Sequence, residues 1–437
     1  MDQELIILLV MLGTFLLANF LLHLPVSLGM ALGAIMGALV FGIFFGGDIS
    51  ELGRHLFEGP FAYLDTVLII ATAMIFMTAI SKSGAMAALN NVIVTKFYKV
   101  PVIMLILLMI IVMFPGMITG SSTAGVLSAG AIVAPILMLM GVPRDKTGAV
   151  IAIGAILGMA APPVNVPALL IAGGVDMPYS GFEAPLFFIT LICGIIAVLM
   201  ICLKYCRHIR LEDLSGGLDQ EIGRRHGFKI YLPIIVLAVL LIACRVFPNA
   251  LPNIGMPLTF LIAAGVACFT GEKFNFIKAT KESLNTTVPV LGKLMGVGMF
   301  IQILTLTGAR GWIVGSCIEM SAIEGIGMIL LFIAIAVACP AFGAVSSYGS
   351  ASVLGVPFLL ILIDHFPNGQ VVMAAALSCI VCVGDLMPPT ALAGNYAASL
   401  VEEKYSKVLR HCAIPALITI AFSLVVIIFS ETAFSFL

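Results

Sequence analysis

The chain has 437 residues, of which 61% are hydrophobic and 10% are charged. Soluble domains are about 45–50% apolar and about 25% charged, so this composition excludes a water-soluble fold and indicates a membrane protein. The net charge of −1 argues against a nucleic-acid partner, whose phosphates require a basic surface. One bilayer crossing takes about 20 apolar residues, and the length therefore predicts roughly ten crossings.

The first segment, 1–60, predicts N-terminal scaffold helices embedded in the membrane. Its first apolar run contains Asp2 and Glu4 but no Lys or Arg up to Phe20, and it is too long for a cleaved signal peptide. We therefore expect the first spanning helix at this position.

The next segment, 61–203, predicts a repeat unit with a re-entrant hairpin over 100–141 and a broken helix over 147–173. The hairpin is an apolar run with small and hydroxyl residues in its middle. This interruption consists of Gly120, Ser121, Ser122 and Thr123. Non-helical backbone at membrane depth is tolerated only where protein or a water-filled cavity satisfies it. The broken helix is interrupted at Pro162 and Pro163.

A charged stretch, 204–229, predicts a cytoplasmic linker, because charge runs are usually solvated loops. The segment 230–283 then predicts a second pair of scaffold helices. At the end of the chain, 401–437 predicts one C-terminal helix.

A second repeat is predicted between them, over 284–400, with a hairpin over 326–363 and a broken helix over 370–396. Its broken helix has the same double proline, at Pro388 and Pro389. The tip of its hairpin is Gly343-Ala344-Val345-Ser346-Ser347-Tyr348-Gly349-Ser350. The plan of the first repeat therefore recurs.

The two halves also match residue by residue at their interruptions. Ser121-Ser122 matches Ser346-Ser347, and Gly158-Met159 matches Gly384-Asp385, at nearly the same spacing. If each hairpin returns to the side it entered, most of the 21 Lys and Arg residues lie on one side, which is then cytoplasmic. In this topology both termini are outside and the repeats are inverted, a plan typical of secondary transporters.

Duplicated hairpin tips that face helix breaks predict binding sites near the membrane midplane, one in each repeat. Hydroxyl and freed carbonyl oxygens suit a hard cation such as Na⁺, and exposed helix N-termini attract anions. The candidate ion-binding residues are Gly120, Ser121, Pro162, Ser346, Ser350, Asp385 and Pro388. The candidate substrate-binding residues are Ser122, Thr123, Asn165, Ser347, Thr390 and Asn395. We expect no cofactor and no metal other than transported Na⁺.

Three ionisable residues fall inside predicted spans, where burial of a charge is costly and a functional role is the default hypothesis. Asp385 is the strongest candidate, since it lies three residues before Pro388 and can bind a cation or carry a proton. For Asp65 and Lys293 a position near the membrane surface is an equally good interpretation. Neither the charge ring of a channel nor the Ser/His, paired-Asp or metal arrangement of an intramembrane enzyme is apparent.

Several motifs resemble the large membrane subunit of tripartite ATP-independent periplasmic (TRAP) transporters. These are Leu24-Pro25-Val26, Gly120-Ser121-Ser122, Gly141-Val142, Gly158 to Pro163 and Met387-Pro388-Pro389. The resemblance implies an ion-transporter-superfamily fold, with a scaffold and a transport domain that moves as an elevator. It also implies Na⁺-driven uptake of organic acids, such as C4-dicarboxylates or sialic acid, across the bacterial inner membrane.

Members of that family work with a small membrane subunit and a periplasmic substrate-binding protein. This chain departs from the family's pattern at both tips, where it has Ala124-Gly125-Val126 and Val345-Ser346-Ser347-Tyr348. A stand-alone homodimeric organic-anion carrier of the same superfamily, coupled to Na⁺ or H⁺, is therefore the alternative interpretation.

Overall fold

The computed structural model describes residues 2–205, 225–246, 254–323, 326–388, 390–432 and 434. Within these ranges every regular element is helical, and nine helices are long and apolar enough to cross a membrane. This confirms the expected all-α polytopic membrane fold. Most of the predicted linker 204–229 and Pro389 lie outside the described residues.

The N-terminal helices are α1 (Gln3–Phe20), α2 (Val26–Phe44) and α3 (Ile49–Glu58). Helices α1 and α2 pack closely, because a side chain at Gly33 would meet the backbone of Met11. Helix α3 is short and amphipathic, and the Asp48 carboxylate caps it by accepting from the Ser50 N–H at 2.9 Å. The sequence pattern did not separate α3 from the spanning helices.

The first repeat has two helices, a hairpin, a broken helix and a final helix. In order these are α4 (Leu64–Lys82), α5 (Ala85–Phe97), α6 (Pro101–Thr119), α7 (Ser122–Leu139), α8 (Arg144–Ala160), α9 (Val166–Gly174) and α10 (Glu183–Cys202). Helices α6 and α7 form the hairpin, and α8 and α9 form the broken helix.

Two helices, α11 (Leu232–Val246) and α12 (Gly255–Thr270), precede the second repeat. This repeat has the same order of elements. They are α13 (Phe276–Leu306), α14 (Ala309–Ser321), α15 (Gly327–Gly343), α16 (Ser347–His365), α17 (Gln370–Cys382), α18 (Leu392–Leu400) and α19 (Tyr405–Ile428). Helices α15 and α16 form the second hairpin, and α17 and α18 form the second broken helix.

The likeness of the repeats extends to local backbone features. Gly84 and Gly308 precede α5 and α14 in the left-handed conformation, with φ of 80° and 76°. The returning helix of each hairpin contains one π-helical segment, Val126–Gly130 in α7 and Ala351–Gly355 in α16. The opposite orientation of the two repeats in the membrane stays a prediction.

Glycines bring each hairpin into contact with its broken helix. A methyl group on Gly116 of α6 would lie 2.7 Å from the backbone nitrogen of Met159. A methyl group on Gly343 of α15 would likewise lie 2.7 Å from the Val381 carbonyl oxygen. Only glycine permits these crossings, which hold each tip beside a helix break.

The helices pack in two groups. An outer group consists of α1, α2, α4, α12 and α13, with α13 against α2 and α4. A hairpin group consists of α6 to α10 and α15 to α19, with α8 in contact with α6, α10, α18 and α19. The outer group combines helices of the predicted scaffold segments with α4 and α13 of the predicted repeats. The division into a scaffold and a transport domain, and movement between them, stay predictions.

Candidate functional site

A cavity of about 640 Å³ lies where the two helix groups meet. The outer group contributes α4 and α13, and the hairpin group contributes both hairpin tips and the break between α17 and α18. Along α13 the cavity is lined from Glu282 to Lys293, a rise of roughly 16 Å at about 1.5 Å per residue. The cavity therefore extends from the start of α13 to the middle of the membrane-embedded helices.

Asp385 lies at the deep end of this cavity. It belongs to a 3₁₀ turn, Val383–Leu386, that follows α17, and only 5% of its surface is exposed. The Ser122 hydroxyl donates to Asp385 Oδ2 at 2.6 Å, and Ser347 of the second tip lies near the same carboxylate in the cavity lining. Because Ser122 and Ser347 are equivalent residues of the two repeats, both hairpins meet at a single carboxylate.

The tips present these serines in the same way because each returning helix starts with a serine cap. Ser121 Oγ accepts from the Ala124 N–H at 3.5 Å, and Ser346 Oγ accepts from the Gly349 N–H at 3.1 Å. The cap fixes the start of the helix and therefore the position of the serine that follows it.

Two hydroxyl groups connect the tips to their surroundings. The Tyr348 hydroxyl donates to the Gly120 carbonyl oxygen of the opposite tip at 3.1 Å. The Thr390 hydroxyl donates to the Ala344 carbonyl oxygen at 2.6 Å. Carbonyl groups that the interrupted helices leave free are thus satisfied by side chains at the site.

The cavity has one charge pair at its exposed end and a single ammonium group deeper inside. Lys82 of α4 and Glu282 of α13 form an ion pair of 3.1 Å, and both side chains are about half exposed. Lys293 of α13 lines the cavity on the side of the outer group. Among the residues that the structure describes, it has no ion pair within 4.0 Å.

The first break is closed, with Asn165 at its centre. This side chain is fully buried; its Nδ2 donates to the Ala160 carbonyl at 2.7 Å and to Ser378 Oγ at 2.8 Å. Its Oδ1 caps α9 by accepting from the Ala168 N–H at 2.9 Å. These contacts occupy the Asn165 amide and tie α9 to α17, so the structure gives this residue a packing role.

The structure divides the residues predicted for binding into two sets. Those that line the cavity are Ser121, Ser122, Thr123, Ser346, Ser347, Asp385 and Thr390. Those outside its lining are Gly120, Pro162, Asn165, Ser350, Pro388 and Asn395. In the second set, the Ser350 hydroxyl is bonded to the Cys339 carbonyl at 2.7 Å, and Asn395 is exposed and donates to the Thr390 carbonyl.

Other cavity residues were not among the predicted binding residues. Tyr348 occupies the position equivalent to Thr123, and Met159 occupies the position equivalent to Asp385, so the internal repeat was the signal for both. The sequence pattern left open whether Lys293 lies near the membrane surface or inside the protein, and the structure places it in the cavity lining. Asp65 is exposed in the first turn of α4 and lies outside the cavity lining.

A membrane-embedded cavity between duplicated hairpins and broken helices is typical of secondary transporters. The family model for the tripartite ATP-independent periplasmic transporter, DctM component, matches residues 112–433, and the chain belongs to this family. DctM is the large component of a tripartite transporter. Comparison with curated protein sequences gives no match.

Two solved structures share the fold. One is the YdaH transporter of Alcanivorax borkumensis, with a TM-score of 0.62, 14% identity, and coverage of 88% of this chain and 90% of that chain. The other is MtrF of Neisseria gonorrhoeae, described as one of a class of antimetabolite efflux pumps, with a TM-score of 0.61 and 16% identity. That match covers 94% of this chain and 96% of MtrF.

Proposed function

We propose that this protein is the large permease subunit of a TRAP-type system that imports a small organic anion together with Na⁺. The observation that carries this proposal is the buried Asp385 carboxylate, which accepts from Ser122 of the first tip and shares the cavity with Ser347 of the second. A buried carboxylate within a membrane protein is costly and marks an ion or proton pathway.

The cation site consists of oxygen atoms on the cavity side of Asp385. Carboxylate and hydroxyl oxygens are the ligands that hard cations prefer, and a carboxylate supplies the charge that hydroxyls lack. The cation would bind Asp385 together with Ser122 and Ser347, one serine from each hairpin, whereas the sequence pattern assigned both serines to the substrate. Na⁺ is the expected coupling ion, and H⁺ carried by Asp385 is the second candidate.

The anion site consists of Lys293 and the polar groups of the tips. The Lys293 ammonium group supplies a positive charge for a carboxylate of the transported anion, and the hydroxyls of Thr123 and Thr390 line the same cavity. Small-molecule sites usually have volumes of about 300–1,000 Å³. A cavity of about 640 Å³ therefore accommodates a C4-dicarboxylate or a sugar acid.

Transport would occur by an elevator movement of the hairpin group against the outer group. The site lies between these groups, and its exposed end carries Lys82, which the charge distribution assigns to the cytoplasmic side. At the far end of α13, Arg310 donates to the Gly174 carbonyl and ties α14 to α9. This arrangement supports an inward-open state in an inverted-repeat carrier of the bacterial inner membrane.

Uptake by purified protein in liposomes tests the coupling ion. We expect radiolabelled succinate or sialic acid to accumulate under an inward Na⁺ gradient, with the small membrane subunit and binding protein of the system added. Accumulation driven by a pH gradient and indifferent to Na⁺ would contradict Na⁺ coupling. Full uptake by this chain alone would instead identify a stand-alone carrier, and cross-linking of two copies would identify the homodimer.

A further inference from the structure

The four charged side chains that line the cavity fall into two pairs. Lys82 and Glu282 are bonded to each other at 3.1 Å at the exposed end. The remaining charges are Lys293 and Asp385, deeper in the cavity. Lys293 and Asp385 line the same cavity, and no ion pair within 4.0 Å joins them. These two groups therefore carry the only unmatched charges of the cavity lining that the structure describes.

The two groups belong to different parts of the molecule. Lys293 lies in the middle of α13, which packs against α2 and α4 in the outer group. Asp385 follows α17, which packs against α9, α10 and α19 in the hairpin group. A change in the distance between the groups would therefore change how strongly the lysine acts on the carboxylate.

The Asp385 carboxylate is buried without a compensating positive charge beside it. With 5% of its surface exposed, it has lost most of its hydration. The Ser122 hydroxyl replaces part of that hydration but leaves the charge uncompensated. Burial of a charge is costly unless an opposite charge balances it. In the absence of a bound cation, Lys293 is the candidate for that balance in the described cavity lining, because Lys82 is already paired with Glu282.

We propose that Lys293 is a tethered competitor of the transported cation for Asp385. When the cavity is open and no cation is bound, the Lys293 ammonium balances the Asp385 carboxylate. This balance favours release of the cation. When Na⁺ binds at Asp385, the ammonium is freed for the carboxylate of the organic anion. Lys293 would thus link cation binding to anion binding, a role that rests on the proposed cation-coupled function.

The test is a Na⁺ titration of the purified full-length chain in detergent, read as the rise in unfolding temperature. Choline replaces Na⁺ at constant ionic strength, so that screening stays the same. Removing a competing unit charge should tighten Na⁺ binding by about tenfold, so we expect this gain in Lys293→Met and Lys293→Gln. Lys293→Arg keeps the charge and should resemble the wild type.

Two controls isolate the charge pair. Lys281→Met removes an exposed lysine of the same helix and should leave the Na⁺ affinity unchanged. In an Asp385→Asn background, Lys293→Met should have no effect on Na⁺ affinity, because no carboxylate remains for which Na⁺ and the ammonium could compete.

Unchanged or weaker Na⁺ binding in both neutral variants would overturn the role of Lys293 and leave Na⁺ coupling intact. A gain in affinity that persists in the Asp385→Asn background would also overturn it. A wild-type protein that shows no response to Na⁺ would contradict the proposed coupling ion itself, and the role of Lys293 with it.

Discussion

The breaks of the two repeats share a backbone plan but differ in chemistry. At the first break Asn165 is fully buried, and its amide is used in bonds to Ala160, Ala168 and Ser378. At the second break Asp385 faces the cavity. One break is closed by neutral hydrogen bonds, and the other holds a charge that needs a partner.

The two repeats therefore contribute different chemical groups to the cavity. Both hairpins contribute an equivalent serine, but only the second repeat contributes a carboxylate, since Met159 occupies the matching position in the first. In the structure, polar groups of both tips line one cavity with this carboxylate, and the expectation of one ion site in each repeat stays a prediction. The first break therefore supports the fold, and the second supplies the charge.

The largest expected effect comes from removing that charge. Asp385→Asn keeps the shape of the side chain but loses the attraction for a cation, worth about 4 kcal/mol for charges about 4 Å apart at an effective dielectric constant of about 20. We expect uptake in liposomes to fall by at least about 100-fold. Asp65→Asn, at an exposed carboxylate of α4, is the matched control and should transport normally. Substantial uptake by Asp385→Asn would show that transport does not require this carboxylate.

A change at the first break should affect stability instead of ion binding. Asn165→Ala leaves the Ala160 carbonyl and the Ser378 hydroxyl without their buried partner, at a cost of about 2–3 kcal/mol in the free energy of unfolding. The measurement is the midpoint of thermal unfolding in detergent, with Na⁺ affinity determined on the same sample. Asn395→Ala, on an exposed side chain, should change stability by less than about 0.5 kcal/mol. Loss of Na⁺ binding by folded Asn165→Ala would make the first break an ion site after all.

A smaller effect is expected from each of the two equivalent serines. A hydrogen bond to a charged group contributes about 1.5–3 kcal/mol, so Ser122→Ala should weaken Na⁺ binding by about 10- to 100-fold. Ser347→Ala removes the equivalent hydroxyl of the second tip, and we expect a loss of similar size. Similar losses in the two variants would establish the equivalence of the tips. A loss in only one would assign the cation to one hairpin. Ser399→Ala, on an exposed position of α18, serves as the control.

Apolar runs and their interruptions were sufficient to predict the helical membrane fold, the two hairpins and the two broken helices. The reason is physical, since a bilayer requires long apolar helices and tolerates a break only where other groups satisfy the backbone. Helix α3 was not distinguished from the scaffold helices, because its ten residues combine apolar and charged faces within a short stretch before α4.

The site was predictable in part. Serines at the hairpin tips and Asp385 follow from the repeated pattern, and they line the cavity. The packing of Asn165 was not predictable, because its partner Ser378 lies on another helix far along the chain. Whether Lys293 reaches the membrane surface or the cavity depends on the rotation of α13, which the packing against α2 and α4 determines.

The most direct measurement is equilibrium binding of radioactive sodium to the purified chain. If the cation binds at Asp385 beside the serines of both tips, binding should be saturable, should weaken by at least about 100-fold in Asp385→Asn, and should persist in Asp65→Asn. Sodium binding that is equally tight in the wild type and in Asp385→Asn would contradict a cation site at the second break.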